Sequence, residues 1–224
     1  MSSRSWRLLA PLLLLLAAAC AQRPCPEPGL MVLTDAKQAV IDYHTDGRYE
    51  ADTAKVADAA RSYVFSRLAQ GVSGRPAVIF DVHQTLLDVF DIEKEMQFGY
   101  FKDVWDRRVE QGNLPPVRPV VALWQDLQAH GVTLFLISNT QTKHRDATVS
   151  NLHAVGVTDW YRLYLRPDDI SKTLTAQDWK SRVRADLEAE GFTILAAIGD
   201  QDSDLNGGHA ERTFKLPNYM WRLK

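Results

Sequence analysis

The sequence predicts an α/β protein: a three-layer arrangement with a parallel sheet, helices on both faces and a small, mostly helical cap insertion. Three observations carry this. Continuous apolar runs of strand length alternate with amphipathic helical stretches, which implies strands buried on both faces. Polar residues cluster just beyond the carboxyl ends of three of those runs, where open α/β sheets bind ligands. One segment, about 88–119, breaks the alternation and is rich in aromatic residues (Phe90, Phe98, Tyr100, Phe101, Trp105).

The elements follow in order. Leu8 to Ala19 is a twelve-residue apolar run preceded by Arg4 and Arg7 and ending in small residues, the anatomy of an export signal. It is short of the roughly 20 residues a spanning helix needs. Cys20 follows directly, so residues 1–19 read as a signal peptide and 20–32 as a lipid anchor with a Pro-rich tether. The small residues flanking Cys20 resemble a bacterial lipoprotein signal, although Ala17 stands where such signals usually have Leu. The expected location is the outer membrane through a lipid on Cys20, or the periplasm if the chain is exported without lipid. Membrane contact through anything but that lipid is not expected.

Residues 33–224 form the expected globular domain. Leu33–His44 and Glu50–Gln70 read as N-terminal helices by their apolar faces. Ala77–Asp81 is a first strand ending in a carboxylate. Val120–His130 is a helix stopped by Gly131, and Val132–Ile137 a second strand ending in Ser138-Asn139-Thr140. Lys143–Val155 is a helix, Tyr161–Leu165 a third strand. Thr175-Ala176-Gln177-Asp178 has the form of a capping box opening a helix to Glu190. Ile194–Ile198 is a fourth strand ending in Gly199-Asp200, and Thr213–Leu216 a fifth.

Composition excludes several classes. The 224 residues are 46% hydrophobic and 24% charged, which places the chain among globular proteins rather than disordered ones. Two cysteines cannot build a disulfide scaffold. Formal net charge is −2, and removing residues 1–19 takes two arginines and no acids, leaving −4. No basic surplus exists for general nucleic-acid binding. The place of a Gly-x-Gly-x-x-Gly turn after the first strand is taken by Asp81-Val82-His83-Gln84-Thr85, and there is no P-loop motif.

Asp81, Ser138, Lys180, Asp200 and Asp204 fall in separated elements, in an order that resembles the four motifs of the haloacid dehalogenase (HAD) superfamily. Within it, Trp179-Lys180-Ser181, Glu190-Gly191-Phe192, Gly199-Asp200-Gln201 and Arg212-Thr213-Phe214-Lys215-Leu216-Pro217-Asn218 are similar to the acid phosphatases of subfamily IIIB, a group spanning plant acid phosphatases, vegetative storage proteins and bacterial lipoprotein phosphatases. The resemblance runs from about Tyr43 to the end. It implies a HAD-like Rossmannoid sheet and a Mg²⁺-dependent acid phosphatase acting on small phosphomonoesters, nucleotides among them. It implies Asp81 as nucleophile, forming an aspartyl-phosphate, and the residue at position 83 as general acid/base. The implied metal ligands are Asp81, the backbone carbonyl of His83, Asp200 and Asp204, with Asp204 alternatively orienting Lys180. Ser138, Asn139 and Lys180 would bind the phosphoryl oxygens. The chemistry is coherent: a phosphomonoester dianion and an attacking carboxylate repel unless a hard cation and fixed donors neutralise them.

The chain departs from the pattern at several positions. His83 stands where the second aspartate of the first motif belongs, Thr140 where an arginine is common, and Tyr219 where proline is common. Asp202 adds an acid to the loop. An imidazolium at His83 would serve as the acid of the first step, and a neutral ring as the base of the second. The alternative reading is a catalytically weakened or inactive HAD-like surface lipoprotein that binds phosphate or nucleotide. Of the other histidines, only His209, beside the acidic loop, suggests a role. The aromatics of 90–105 read mainly as cap core. Oligomeric state and the role of Cys25 are not legible.

Overall fold

The computed structural model of the chain describes residues 31–168 and 174–223. The expected signal, Cys20 and Cys25 lie outside the described residues. Five parallel strands form one sheet in the order β3-β2-β1-β4-β5: β1 (Arg75–Phe80), β2 (Thr133–Gln141), β3 (Arg162–Arg166), β4 (Phe192–Gly199) and β5 (Arg212–Lys215). Helices α1 (Leu33–Thr45) and α2 (Arg48–Gln70) precede the sheet. Helices α3 (Phe90–Glu95) and α4 (Lys102–Glu110) lie in the segment between β1 and α5 (Arg118–Ala129). A 3₁₀ turn at Thr142–His144 leads into α6 (Arg145–Ala154), and α7 (Ala176–Ala189) and α8 (Asp202–Leu205) flank β4.

The α/β fold predicted from the alternation is the one formed. β1 lies at the centre because its run is apolar on both faces. Val78 and Phe80 pack into a larger core with Leu134, Leu136, Trp124 of α5 and Val64 of α2. Ala77 and Ile79 face the other way, against Phe135, Ile137, Val183 and Leu187 of α7. Burial on both faces is what keeps a parallel strand in place. Both neighbours of β1, β2 and β4, come later in the chain, so the crevice beyond its carboxyl end is a topological switch point, where ligands bind in such sheets.

Two boundaries differ from expectation for one reason. β2 continues past Ile137 to Gln141, and the expected helix from Lys143 begins instead as a 3₁₀ turn. Ser138-Asn139-Thr140-Gln141 carries no apolar signature, but its backbone stays paired with β3: Ser138 aligns with Leu165 and, after a register shift, Gln141 with Arg166. Backbone pairing to a neighbouring strand is a tertiary effect that local composition cannot show. The extension sets Thr140 and Arg166 beside the carboxyl end of β1. At the start of α7, Thr175 caps as expected, its Oγ1 accepting from the Asp178 amide at 3.1 Å.

Candidate active site

The site is built from the ends of strands. Asp81 follows β1, and its amide still donates to Ile198 O of β4 at 2.9 Å, so the sheet fixes its position. Asp200 follows β4, and Asp204 lies in α8. Reciprocal bonds hold that short helix: the Gln201 amide donates to Asp204 Oδ2 at 2.9 Å while the Gln201 side chain accepts from the Asp204 amide. Gly199 is required by proximity, since a Cβ there would overlap the Asp204 carboxylate. Arg184 of α7, buried, donates to the carbonyls of Asp204, Asn206 and Gly208 and clamps the loop from behind.

Lys180 of α7 reaches the same point. Its Nζ donates to Asp81 Oδ1 at 2.5 Å and to Asp204 Oδ1 at 2.6 Å, with all three side chains buried. Burial opposes its charge, but Asp204 and Asp81 outweigh burial and hold the ammonium above its ordinary range. Asp200 accepts from Gln201 Nε2 at 2.5 Å and from Asn218 Nδ2 at 2.7 Å. Asp81, Asp200 and Asp204 each offer a carboxylate oxygen, all within 4.8 Å of one another.

One ammonium does not balance three carboxylates. Burial, with Asp204 and Asp81 as like-charged neighbours, pushes Asp200 up to about 8. Burial also raises Asp81 to about 6, despite the opposing pull of Lys180. A dry cluster of oxygen donors carrying surplus negative charge fits a small, hard divalent cation. The fourth acid behaves differently. Asp202, expected to add charge to this cluster, turns outward, half-exposed, and pairs with Lys215. The helical turn of α8 places it on the solvent side.

Ser138 and Asn139 lie near the carboxyl end of β2 and line the same pocket as Asp81. Ser138 Oγ accepts from the Thr140 amide at 3.2 Å, which leaves its O–H free to donate. Asn139 Oδ1 accepts from Arg166 Nη1 at 2.7 Å. Arg166, at the end of β3, therefore brings a guanidinium to the region that loses one at Thr140. Its place depends on the β2–β3 register, so sequence reasoning missed it.

His83 is buried and lines the pocket. Its Nδ1 lies 2.9 Å from Thr140 Oγ1, and its Nε2 is buried without a hydrogen-bond partner among the described residues. The two departures from the family pattern thus touch each other. Burial, with Lys180 and His144 adding to it, pushes the ring down to about 3. This burial favours the neutral ring and so works against the imidazolium acid expected for the first step. The loop carrying it is anchored by Gln84, which adopts φ 58 and bridges Tyr49 of α2 (Nε2 to OH, 2.9 Å) and the Val89 amide (3.1 Å). Gln84 had no sequence signal beyond lying near Asp81, and Tyr49, far from both in sequence, had none.

These groups line a pocket of about 560 Å³. Its outer wall comes from the α3–α4 segment. Phe98, Tyr100 and Trp105 line the pocket; Trp105 also packs against the core and Phe90 is buried, as expected, whereas Tyr100 and Phe101 are exposed rather than cap core. His209 is not among the lining residues; it pairs with Glu188 at 2.5 Å.

Residues 30–223 match the family described as HAD superfamily, subfamily IIIB (acid phosphatase). Among curated relatives, acid phosphatase 1 of Solanum lycopersicum is 37% identical over 189 residues, covering 82% of this chain and 73% of the relative. Vegetative storage protein 1 of Arabidopsis thaliana is 32% identical over 197 residues, covering 85% and 71%. Among solved structures, the class C acid phosphatase from Bacillus anthracis superposes with a TM-score of 0.71 at 22% identity, covering 85% of this chain and 86% of that one, and so shares the fold. The chain belongs to the HAD subfamily IIIB acid phosphatases, a family of phosphoric monoester hydrolases.

The surplus charge makes a stability prediction. Asp200 holds a proton in the folded chain at pH values where the unfolded chain has lost it, so the fold binds the more protons and loses stability as pH rises toward 8. His83 opposes this trend below 6.5 and is silent above it. Chelator-treated protein should therefore lose stability between pH 6.5 and 8. Asp200→Asn should flatten that slope and stabilise the metal-free protein by on the order of 2 kcal/mol at pH 7.5, read as about 4–8 °C in thermal melts. An unchanged slope in the variant would contradict the charge assignment.

Proposed function

We propose that this acid phosphatase hydrolyses small phosphomonoesters through an aspartyl-phosphate on Asp81, with Mg²⁺ held by Asp81, Asp200, Asp204 and the backbone carbonyl of His83. The observation that carries the reading is the buried cluster of Asp81, Asp200 and Asp204 tied to Lys180 at a strand-end crevice. A hard cation there would offset the repulsion between a phosphate dianion and the attacking carboxylate.

The chain's own residues divide the remaining work. Lys180 holds Asp81 in place and presents positive charge to the phosphoryl oxygens. Ser138 donates its hydroxyl to a second oxygen, and Asn139, steadied by Arg166, lies beside it. Attack by Asp81 Oδ forms a P–O bond as the ester P–O bond breaks, and the leaving oxygen must take a proton or depart as an anion. A neutral His83 is a poor proton donor, and the burial that keeps it neutral also makes it a weaker base than an ordinary imidazole; in the second step water bonds to phosphorus as the Asp81 Oδ–P bond breaks, and the ring nitrogen turned away from Thr140 takes the proton the water loses. Thr140 occupies Nδ1, so Nε2 is the nitrogen available for this.

Substrates with acidic leaving groups, such as aryl phosphates, should therefore be turned over faster than alkyl phosphates. A weakened, binding-only protein is the competing reading. It is favoured by His83 at the position of the usual acid, and opposed by the intact Asp81, Lys180, Asp200 and Asp204 cluster.

We also propose that the chain is exported and anchored by lipid on Cys20. Among the described residues no helix is long and apolar enough to cross a membrane. The support is the sequence of residues 1–20.

Four outcomes are expected. Purified protein hydrolyses 4-nitrophenyl phosphate with Mg²⁺ and stops with chelator; no turnover at any pH from 5 to 8 refutes the enzyme reading. His83→Asp raises kcat on alkyl phosphates by about 10²-fold or more, within the range of a general acid, and raises it less on aryl phosphates. Thr140→Val lowers kcat in the His83 protein, Thr140→Ser restores it, and neither matters once His83 is Asp. Finally, mass spectrometry of membrane fractions finds a diacylglyceryl adduct on Cys20, and Cys20→Ser releases the protein; a soluble wild-type protein without adduct would leave export alone.

A further inference from the structure

Glu93 is a buried charged group of the pocket wall that the chemistry above leaves unused. It lies on α3, opposite the strand ends, and lines the pocket while being 5% exposed. Among the described residues its carboxylate has no hydrogen-bond or ion-pair partner. Burial alone pushes it up to about 7, and no other group contributes. Its carboxylate faces the pocket, so the hydrogen bond it lacks within the protein is open to a ligand.

The local backbone supports a built subsite. Gln97 and Phe98 both adopt left-handed conformations, φ 54 and 59, which side chains of this size rarely take. The Phe98 amide donates to the Glu93 carbonyl at 2.7 Å. That strained turn brings Phe98 to the pocket, next to Tyr100, which is close enough to Glu93 to feel its charge. Trp105 closes the path back toward His83, with ring centroids 5.5 Å apart. The outer half of the pocket is thus aromatic walls around one unpaired acceptor.

We infer that Glu93 is a specificity-determining residue that accepts a hydrogen bond from the leaving group, so that the enzyme selects phosphomonoesters whose alcohol part combines a flat apolar body with an N–H or O–H donor at its far end. The phosphate is held at the Asp81 end, the body lies between Phe98 and Trp105, and the donor reaches Glu93. This rests on the phosphatase reading for its orientation, but not for its binding contrast.

The test compares shape-matched esters: 4-ethylphenyl phosphate, without a donor, against 4-(aminomethyl)phenyl and 4-(hydroxymethyl)phenyl phosphate. Wild-type protein with Mg²⁺ should favour both donor-bearing esters by about tenfold or more in kcat/KM, chiefly through KM. Glu93→Leu should bring the ratio to near one. Glu93→Gln, which keeps a carbonyl acceptor, should retain a preference for the hydroxymethyl ester. The melting temperature of Glu93→Leu should equal or exceed that of wild type, because no structural bond is lost. A wild-type ratio near one, a ratio preserved in Glu93→Leu, or a clear fall in melting temperature overturns the assignment. If no ester is hydrolysed, the phosphatase reading fails separately, and the same ratios are read as Kd by titration calorimetry.

Discussion

The position of Lys180 between Asp81 and Asp204 is the constraint on which the rest of the molecule depends. One ammonium, buried with two carboxylates at 2.5 and 2.6 Å, ties α7 to the ends of β1 and β4. An ionised group without partners could not remain in so dry a place. The clamp by Arg184, the reciprocal bonds of α8 and the close approach at Gly199 all serve to keep Asp204 facing Lys180. The sheet order serves the same end, since only a central β1 flanked by β2 and β4 brings these groups to one crevice. Yet the balance is incomplete: one cation faces three acids, with Asp200 left to hydrogen bonds from Gln201 and Asn218. That residual charge lets an acidic site receive an anion once a cation joins it, although the whole chain has no basic surplus.

The pocket joins two kinds of surface. The strand ends supply charge and fixed donors, positioned by backbone pairing and therefore rigid. The α3–α4 segment supplies aromatic area and one isolated acceptor. Asp106 of α4 links the two sides, contacting Lys102 on its own helix and both Lys143 and His144 on the turn after β2. Burial opposes its charge, but the hydrogen bonds from Lys102, Lys143 and His144 outweigh burial and hold its carboxylate well below the usual range. The wall facing the leaving group is thereby fastened to the same β2 extension that carries Ser138 and Thr140.

Much of this was legible in the sequence because the decisive signals are local. Apolar runs such as Ala77–Phe80 marked strands, Thr175 to Asp178 marked a helix start, and the acids following the strands marked the crevice. What stayed hidden depends on register and on which way a side chain turns. Nothing local marks Arg166, which meets Asn139 only through the irregular pairing of β2 with β3. Asp202 looked like a further acid of the loop because sequence spacing cannot say which face of a short helix meets solvent. Nothing local marks Glu93 either; its burial in the pocket wall sets it apart. Gln84 and Tyr49 hold the loop of His83 across a separation no local pattern reveals.

The paired departures at positions 83 and 140 are best understood together. An arginine at 140 would set a guanidinium beside the imidazole of His83, in a site where Lys180 and His144 already disfavour positive charge on that ring. Threonine removes that cation and offers a hydroxyl that can either donate to Nδ1 or accept from it, so the ring is fixed whichever tautomer it takes. The guanidinium lost at 140 has a counterpart in Arg166, reaching the same strand end from β3. A site decaying at random would not be expected to exchange one acid for a base, give that base a hydrogen-bond partner by a second substitution, and keep a cation nearby. His83 and Thr140 therefore form one hydrogen-bonded unit beside Asp81, and the proposed proton transfer depends on the pair rather than on either residue alone.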